Sequence, residues 1–273
     1  MNKHTLSAPP PDLRIIPIDS LLPHEEHDPQ RSEALVNKLQ SAEYMINPPI
    51  VAPVDSSHYV ILDGANRCYT MKQIGFPHII VQVVTYDSGY VELDSWKHVV
   101  SDWELGALLE AIKHIDGITI HDGQDTNSIA HIVMRSGQVI SLLAPIESTH
   151  ERNTLLREFV NIYKTNAKLY RTALMEPDEI WLLYPSAIAL VIFPKYAPAD
   201  IIAAAKYKAF LPPGISRHII HGRALKLNYP MSLLLNTSHT LLEKNQALST
   251  WVQSKMTERS VRYYAEATYQ FDE

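Results

Sequence analysis

The stretch ILDGANRCYTMKQIG, residues 61–75, decides how the chain is read. Tyr59, Val60, Ile61 and Leu62 form an apolar, β-type run that halts at Asp63 and Gly64. A helix-compatible segment then runs from Asn66 towards Ile74, where Gly75 stops it. The pattern predicts a strand, a tight turn and a helix. Such a turn sets backbone N–H groups and the positive end of a helix dipole beside an acidic side chain, a place where phosphate and a divalent cation can meet. Arg67 adds a fixed positive charge. The same residues also suit an ordinary strand-to-helix turn, with Asp63 as a helix cap and Arg67 on the surface, and local pattern leaves both readings open.

Working outward on the N-terminal side, LRIIPI (residues 13–18) reads as a first strand ended by Asp19 and Ser20. LLPHEEHDPQR is polar and proline-bearing, a loop that opens a helix near Pro29 or Gln30 continuing through SEALVNKLQ. Glu25 and Glu26 therefore lie in a loop before a helix. One of two adjacent carboxylates can face a site while the other faces water, and periodicity does not choose between them. PPIVAPV and HYVIL read as two strands joined by the polar turn Asp55 to Ser57, and HIIVQVV (78–84) is the next strand. An α/β unit of roughly the first hundred residues results, and ligands of such sheets bind at carboxyl ends of strands, where Asp63 sits.

On the C-terminal side, ELDSWKHVV carries Trp96, and an amphipathic helix is expected from about Ser101 or Asp102 through ELGALLEAIKHI. SIAHIVM and QVISLLA, separated by Arg135, Ser136 and Gly137, form the strongest hairpin signal in the chain. Further helices are expected over about 151–166, in PADIIAAAKYKAF and over 240–258. AIALVIF reads as a buried strand, the Pro-Pro-Gly turn of LPPGISRHIIHGR feeds a basic strand, and RYYAEATYQF alternates as a closing strand. This half reads as α+β, with a soft domain boundary near residue 110.

The bulk numbers exclude several classes. The chain has 273 residues, enough for one large or two smaller domains, and a formal charge of −6 with pI near 6.1, so no global positive field drives sequence-independent nucleic-acid binding. Cys68 is the one cysteine, which rules out an intramolecular disulfide and fits a reducing compartment; it reads as a buried thiol rather than a nucleophile. The N-terminus lacks an apolar core of signal-peptide length, and no later run reads as a membrane span, so a cytoplasmic protein without membrane attachment is expected. There is no GxxxxGK[ST], HRD or DFG, and the HEEH of residues 24–27 lacks the HExxH spacing of zinc proteases.

Four segments in order, LLPHEEH, ILDGANR, DSWKH and PPGISRHIIHGR, resemble the free L-serine kinase branch of the ParB/sulfiredoxin-like superfamily, which includes the serine kinase of staphyloferrin B siderophore biosynthesis. That resemblance extends over nearly the whole chain. It implies an α/β (α+β overall) architecture: a ParB N-terminal-like nucleotide-binding domain at 1–110, an α+β substrate-binding domain at 111–273, and the active site in the cleft between them. It further implies transfer of the terminal phosphate of ATP or ADP to the hydroxyl of free L-serine, giving O-phospho-L-serine.

By motif position, the resemblance assigns the general base to Glu25, with Glu26 the weaker candidate, because a serine hydroxyl needs a carboxylate to orient it and accept its proton. Asp63 is implied to hold Mg²⁺ against the phosphates, while Gly64, Ala65, Asn66 and Arg67 cradle them. Ser216, Arg217 and His218 are implied substrate or phosphate contacts, Arg217 foremost because its planar fork suits carboxylate and phosphate, and Trp96 is implied to wall the pocket; a core tryptophan is the alternative. The family turn carries a histidine where this chain has Asn66, which donates to phosphate without carrying charge. A ParB-like nucleotide-gated regulator that binds DNA is the alternative function, disfavoured by the acidic charge and the lack of an evident helix-turn-helix. Oligomeric state is left open.

Overall fold

The strand, turn and helix expected around residue 63 are all present in the computed structural model, which describes residues 8–27, 29–144 and 148–264: strand Tyr59–Asp63 ends in Gly64 and helix Ala65–Gln73 follows. Gly64 is the N-cap of that helix, with φ +90, and no side chain caps it, so Asp63 is not the helix cap. Glycine is required there because left-handed backbone costs any other L-residue. A Cβ on Gly64 would also sit 3.1 Å from the Cβ of Pro49.

The strand belongs to a five-stranded sheet in the order Asp12–Pro17, His78–Val83, Ile50–Pro53, Tyr59–Asp63, Leu21–Pro23. Asp12–Pro17 and His78–Val83 are antiparallel, as are Ile50–Pro53 and Tyr59–Asp63, whereas Ile50–Pro53 and His78–Val83 are parallel. The sheet is thus mixed. The second sheet has six strands in the order Lys168–Thr172, Lys97–Ser101, Ala187–Ile192, Ala130–Met134, Val139–Leu143, Thr119–Asp122, and every neighbouring pair is antiparallel. The hairpin read from residues 128–144 lies at its heart.

The chain divides into two compact units whose segments interleave. The first comprises residues 1–22, 27–92 and 218–273, the second 23–26 and 93–217. The expected boundary near residue 110 falls inside the second unit, and the C-terminal segment returns to the first. The reason is apolar burial: Tyr229, Met231, Leu234 and Leu248 share one core with Ile15, Ile61, Met71, Ile79 and Val81. Helix Leu241–Thr257 is tied to the first strand by Asn245, whose side chain accepts from the Ile15 N–H at 2.9 Å and donates to the Ile15 carbonyl at 2.8 Å. Such long-range closure leaves no signal in local composition.

Segments around residue 100 also differ from expectation. Val91–Ser95 and Lys97–Ser101 are strands, and the helix expected from Ser101 or Asp102 starts at Leu105. Every residue of Lys97–Ser101 is buried, so no polar alternation marks it, and Asp102 breaks the chain at φ +57. Strands Thr119–Asp122 and Lys168–Thr172 and helix Pro177–Leu183 are likewise short elements absent from the sequence reading. Of the closing strand expected in RYYAEATYQF, residues 265–273 lie outside the described residues, and 262–264 carry no regular structure. Among the described residues no helix is long and apolar enough to cross a membrane.

Candidate active site

Glu25 and Glu26 are held by a short extended contact with Leu211: the Leu211 N–H donates to the His24 carbonyl at 2.8 Å and the Glu26 N–H to the Leu211 carbonyl at 3.0 Å. Extended backbone sends successive side chains to opposite sides. Glu26 is turned outward, 47 % exposed, and pairs with Arg157 at 3.1 Å. Glu25 is turned inward, 16 % exposed. This settles the choice that periodicity left open.

The Glu25 carboxylate is gripped by three donors. The Gly214 N–H reaches Oε2 at 2.7 Å, the Ser216 N–H reaches Oε1 at 2.8 Å, and the Ser216 hydroxyl reaches Oε1 at 2.6 Å. Two carboxylate oxygens offer four lone-pair sites, so among the described residues one acceptor position is left, on Oε2. The Ser216 hydroxyl also meets His24 Nε2 at 2.7 Å, and since it donates to Glu25 it accepts from His24. His24 is buried. The arrangement is a carboxylate fixed in position with one oxygen able to take a hydroxyl proton.

The Ser216–Arg217–His218 triplet does not act as one cluster. Ser216 serves Glu25, whereas Arg217 places its Nη1 3.3 Å from Asp94 Oδ2 and its guanidinium carbon 4.9 Å from the Trp96 ring centroid. Trp96 is partly exposed rather than a core residue, and stacks its face on that cation. His218 belongs to the first unit and shares a 2.8 Å hydrogen bond between its Nε2 and the Tyr86 hydroxyl, whose ionisation is pushed up by burial. Alternation along strand Ser216–Ile220 turns Arg217 to the side opposite Ser216 and His218, and those two bond to different partners.

The Asp63–Arg67 turn lies in the first unit. Asp63 is half-exposed and forms an ion pair with Arg223, and Arg67 Nη1 donates to the Asn47 carbonyl at 2.7 Å. The N-terminus of helix Ala65–Gln73 brings the backbone of Ala65, Asn66 and Arg67 to the end of the Asp63 strand. Cys68 is buried behind the turn, its thiol pushed up to about 12 by loss of solvent, which removes it from chemistry. No group of three His, Cys, Asp or Glu side chains gathers as a metal cage among the described residues.

His24, Asp94, Arg157, Arg223 and Gly214 are partners that sequence reasoning passed over. His24, Asp94 and Gly214 sit inside or beside the motifs already quoted, so proximity to Glu25, Trp96 and Ser216 was their only sequence signal; Arg157 had none. A groove of about 710 Å³ lined by Leu105, Leu109, Ile118, Ile120 and Ile140 contains none of the site residues.

No protein-family model matches the sequence. The chain is 22 % identical over 261 residues to the ATP-dependent L-serine kinase SbnI of Staphylococcus aureus, covering 94 % of this chain and 96 % of that protein. It is 32 % identical over 109 residues to an ATP-dependent L-serine kinase of Staphylothermus marinus, an alignment that covers 40 % of this chain and 42 % of the relative's length. Among solved structures, C-terminally truncated SbnI superposes with a TM-score of 0.70 at 19 % identity, covering 90 % of this chain and 97 % of that one. A free serine kinase in complex with AMP superposes with a TM-score of 0.69 at 16 % identity, covering 85 % and 97 %. By sequence along most of its length the chain resembles the ATP-dependent L-serine kinases, and it has the fold of the free serine kinases.

Proposed function

We propose that the protein is a kinase of free L-serine that uses ATP and yields O-phospho-L-serine, with Glu25 as general base. The observation that carries this reading is the Glu25 carboxylate, clamped by Gly214 and Ser216 with an acceptor position left on Oε2. The serine hydroxyl donates to that position. As its oxygen bonds to the terminal phosphorus of the nucleotide, the bond from phosphorus to the bridging oxygen breaks and the hydroxyl proton passes to Glu25. The clamp supports the role because a base that is already held needs no reorganisation when the proton moves.

Arg217, stacked on Trp96 and turned by Asp94, grips the substrate carboxylate in this reading; Arg is suited to it because its fork binds two oxygens at once. The Asp63–Arg67 turn binds the nucleotide phosphates through backbone N–H groups, the helix dipole and Arg67. Ser216 acts through Glu25 rather than on substrate. A divalent cation, Mg²⁺ in this reading, supplies charge neutralisation on the phosphates when bound. Asp63 fits it as a single carboxylate arm beside phosphate oxygens and water, the usual manner of magnesium–nucleotide binding.

The experiment is incubation with serine, threonine and other small hydroxy acids, with ATP or ADP and Mg²⁺, followed by ³¹P NMR and mass detection of the product. O-phosphoserine from serine and ATP is expected, and Glu25→Ala slows its formation by about 10²-fold or more, to a measurable residual rate, while the fold is retained. Absence of phosphoserine with either nucleotide, or wild-type turnover in Glu25→Ala, would sink the assignment.

A further inference from the structure

We propose that Arg171 is a positioning residue for Glu25, acting through the Pro213–Gly214 peptide; the inference rests on Glu25 being the base. Arg171 Nη2 donates to the Pro213 carbonyl at 3.0 Å. The N–H at the other end of that same peptide group, on Gly214, donates to Glu25 Oε2 at 2.7 Å. In a trans peptide the C=O and N–H point in opposite directions, so guanidinium, peptide dipole and carboxylate line up head to tail. A cation on the carbonyl polarises the peptide and makes its N–H a stronger donor to the carboxylate beyond it. Oε2 is the oxygen that keeps the acceptor position for substrate, so the direction of this one bond sets where that position points.

A second grip holds the same turn from the neighbouring strand. His98 lies directly opposite Arg171 in the antiparallel pairing of Lys97–Ser101 with Lys168–Thr172. Its Nε2 is 3.0 Å from the Gly214 carbonyl, which can only accept, so Nε2 carries the proton and Nδ1 accepts from the Tyr163 hydroxyl at 2.8 Å. Burial holds the ring neutral, its pKa pushed down to about 4. The carbonyls on both sides of the Gly214 Cα are therefore anchored, one by Arg171 and one by His98.

Gly214 itself has φ +79, and a Cβ there would land on the Arg171 guanidinium. Backbone, cation and histidine thus form one platform, and Glu25 is the side chain it presents. Carbonyls of an ordinary turn are satisfied by water or backbone; here a fixed cation is placed on the carbonyl whose peptide partner binds the base.

The test combines kinetics with amide exchange of the full-length protein. Only nine glycines occur in the chain, so glycine-selective ¹⁵N labelling isolates the Gly214 amide. Glu25→Ala, which removes the acceptor, calibrates full loss of Gly214 protection. Arg171→Met is expected to speed Gly214 exchange about tenfold or more and to lower kcat by about tenfold with KM for serine and ATP within about twofold, the loss of roughly one charge-assisted hydrogen bond. Arg171→Lys restores part of both. In the Glu25→Ala background Arg171→Met costs no further residual turnover, because the two act as one unit.

Retained Gly214 protection, an unchanged kcat, or losses that add in the double variant each overturn the proposal. If Arg171→Met does not fold, Arg171→Gln keeps an N–H donor without the charge, and the same readouts decide. If the wild type makes no phosphoserine, the kinase reading fails, while the Gly214 amide alone still decides whether Arg171 holds Glu25.

Discussion

Replacing Gly214 by alanine tests the site where backbone conformation and function meet, and Gly137 provides an internal comparison. Both glycines lie in the second unit at similar positive φ, +79 and +86. Around Gly137, in the hairpin turn, an added Cβ meets nothing within 4 Å, so Gly137→Ala carries only the left-handed backbone cost of about 1–2 kcal/mol. At Gly214 the same backbone cost applies and the Cβ additionally displaces the Arg171 guanidinium, ending its charge-assisted bond to Pro213, worth about 1.5–3 kcal/mol. Gly214→Ala is therefore expected to lose about 2.5–5 kcal/mol, about 1.5–3 kcal/mol more than Gly137→Ala. Urea unfolding followed by the fluorescence of the four tryptophans measures both. Equal losses for the two variants would refute the account of Gly214 as sterically required. Turnover gives a parallel readout, falling in Gly214→Ala and staying near wild type in Gly137→Ala.

Three further outcomes follow from particular side chains. His98 is neutral in the fold, with a pKa moved from 6.5 to about 4, so the unfolded chain takes up a proton that the folded one refuses as pH falls through that interval. The stabilisation is present above about 6.5 and is lost towards 4, by up to about 3 kcal/mol; His98→Gln lacks this component, and parallel stability–pH curves for the two proteins would exclude it. The Cys68 thiol, buried and pushed up to about 12, should resist a thiol reagent at pH 8 until the protein unfolds, and rapid labelling of the native protein would contradict its placement. Glu26→Gln removes a half-exposed ion pair with Arg157 and should change stability by less than about 1 kcal/mol and leave kcat intact, in contrast to Glu25→Gln; a comparable loss of kcat in both would remove the distinction between them.

Residues with strong local signals behaved as read. The strand ending at Asp63, the helix after Gly64, the hairpin around Gly137 and the helices Thr149–Asn166, Pro198–Lys206 and Leu241–Thr257 all carry periodicity or turn chemistry that acts within a few residues. Lys97–Ser101 shows the limit: a strand buried on both faces has no alternation to betray it. The site residues divide in the same way. Motif order picked out Glu25 and Ser216, which do meet, and Trp96 and Arg217, which do stack. It grouped His218 with them, whereas that side chain bonds to Tyr86 in the first unit.

By itself, then, the sequence determined the local elements and the chemical types available: a phosphate-suited turn at Asp63–Arg67, paired carboxylates before a helix, and an arginine beside a hydroxyl. These follow from short-range sterics and hydrogen bonding, which each stretch of chain carries with it. Only the tertiary structure decided which carboxylate faces inward, because that depends on Leu211, some 190 residues away, aligning the backbone at Glu25. It also decided that Tyr229, Met231, Leu234 and Leu248 complete the first core, and that Arg171 and His98, on adjacent strands, converge on the turn that holds Glu25. Contacts of that range are set by burial of apolar surface and by satisfaction of buried polar groups across the whole fold, and neither quantity is a property of any single stretch.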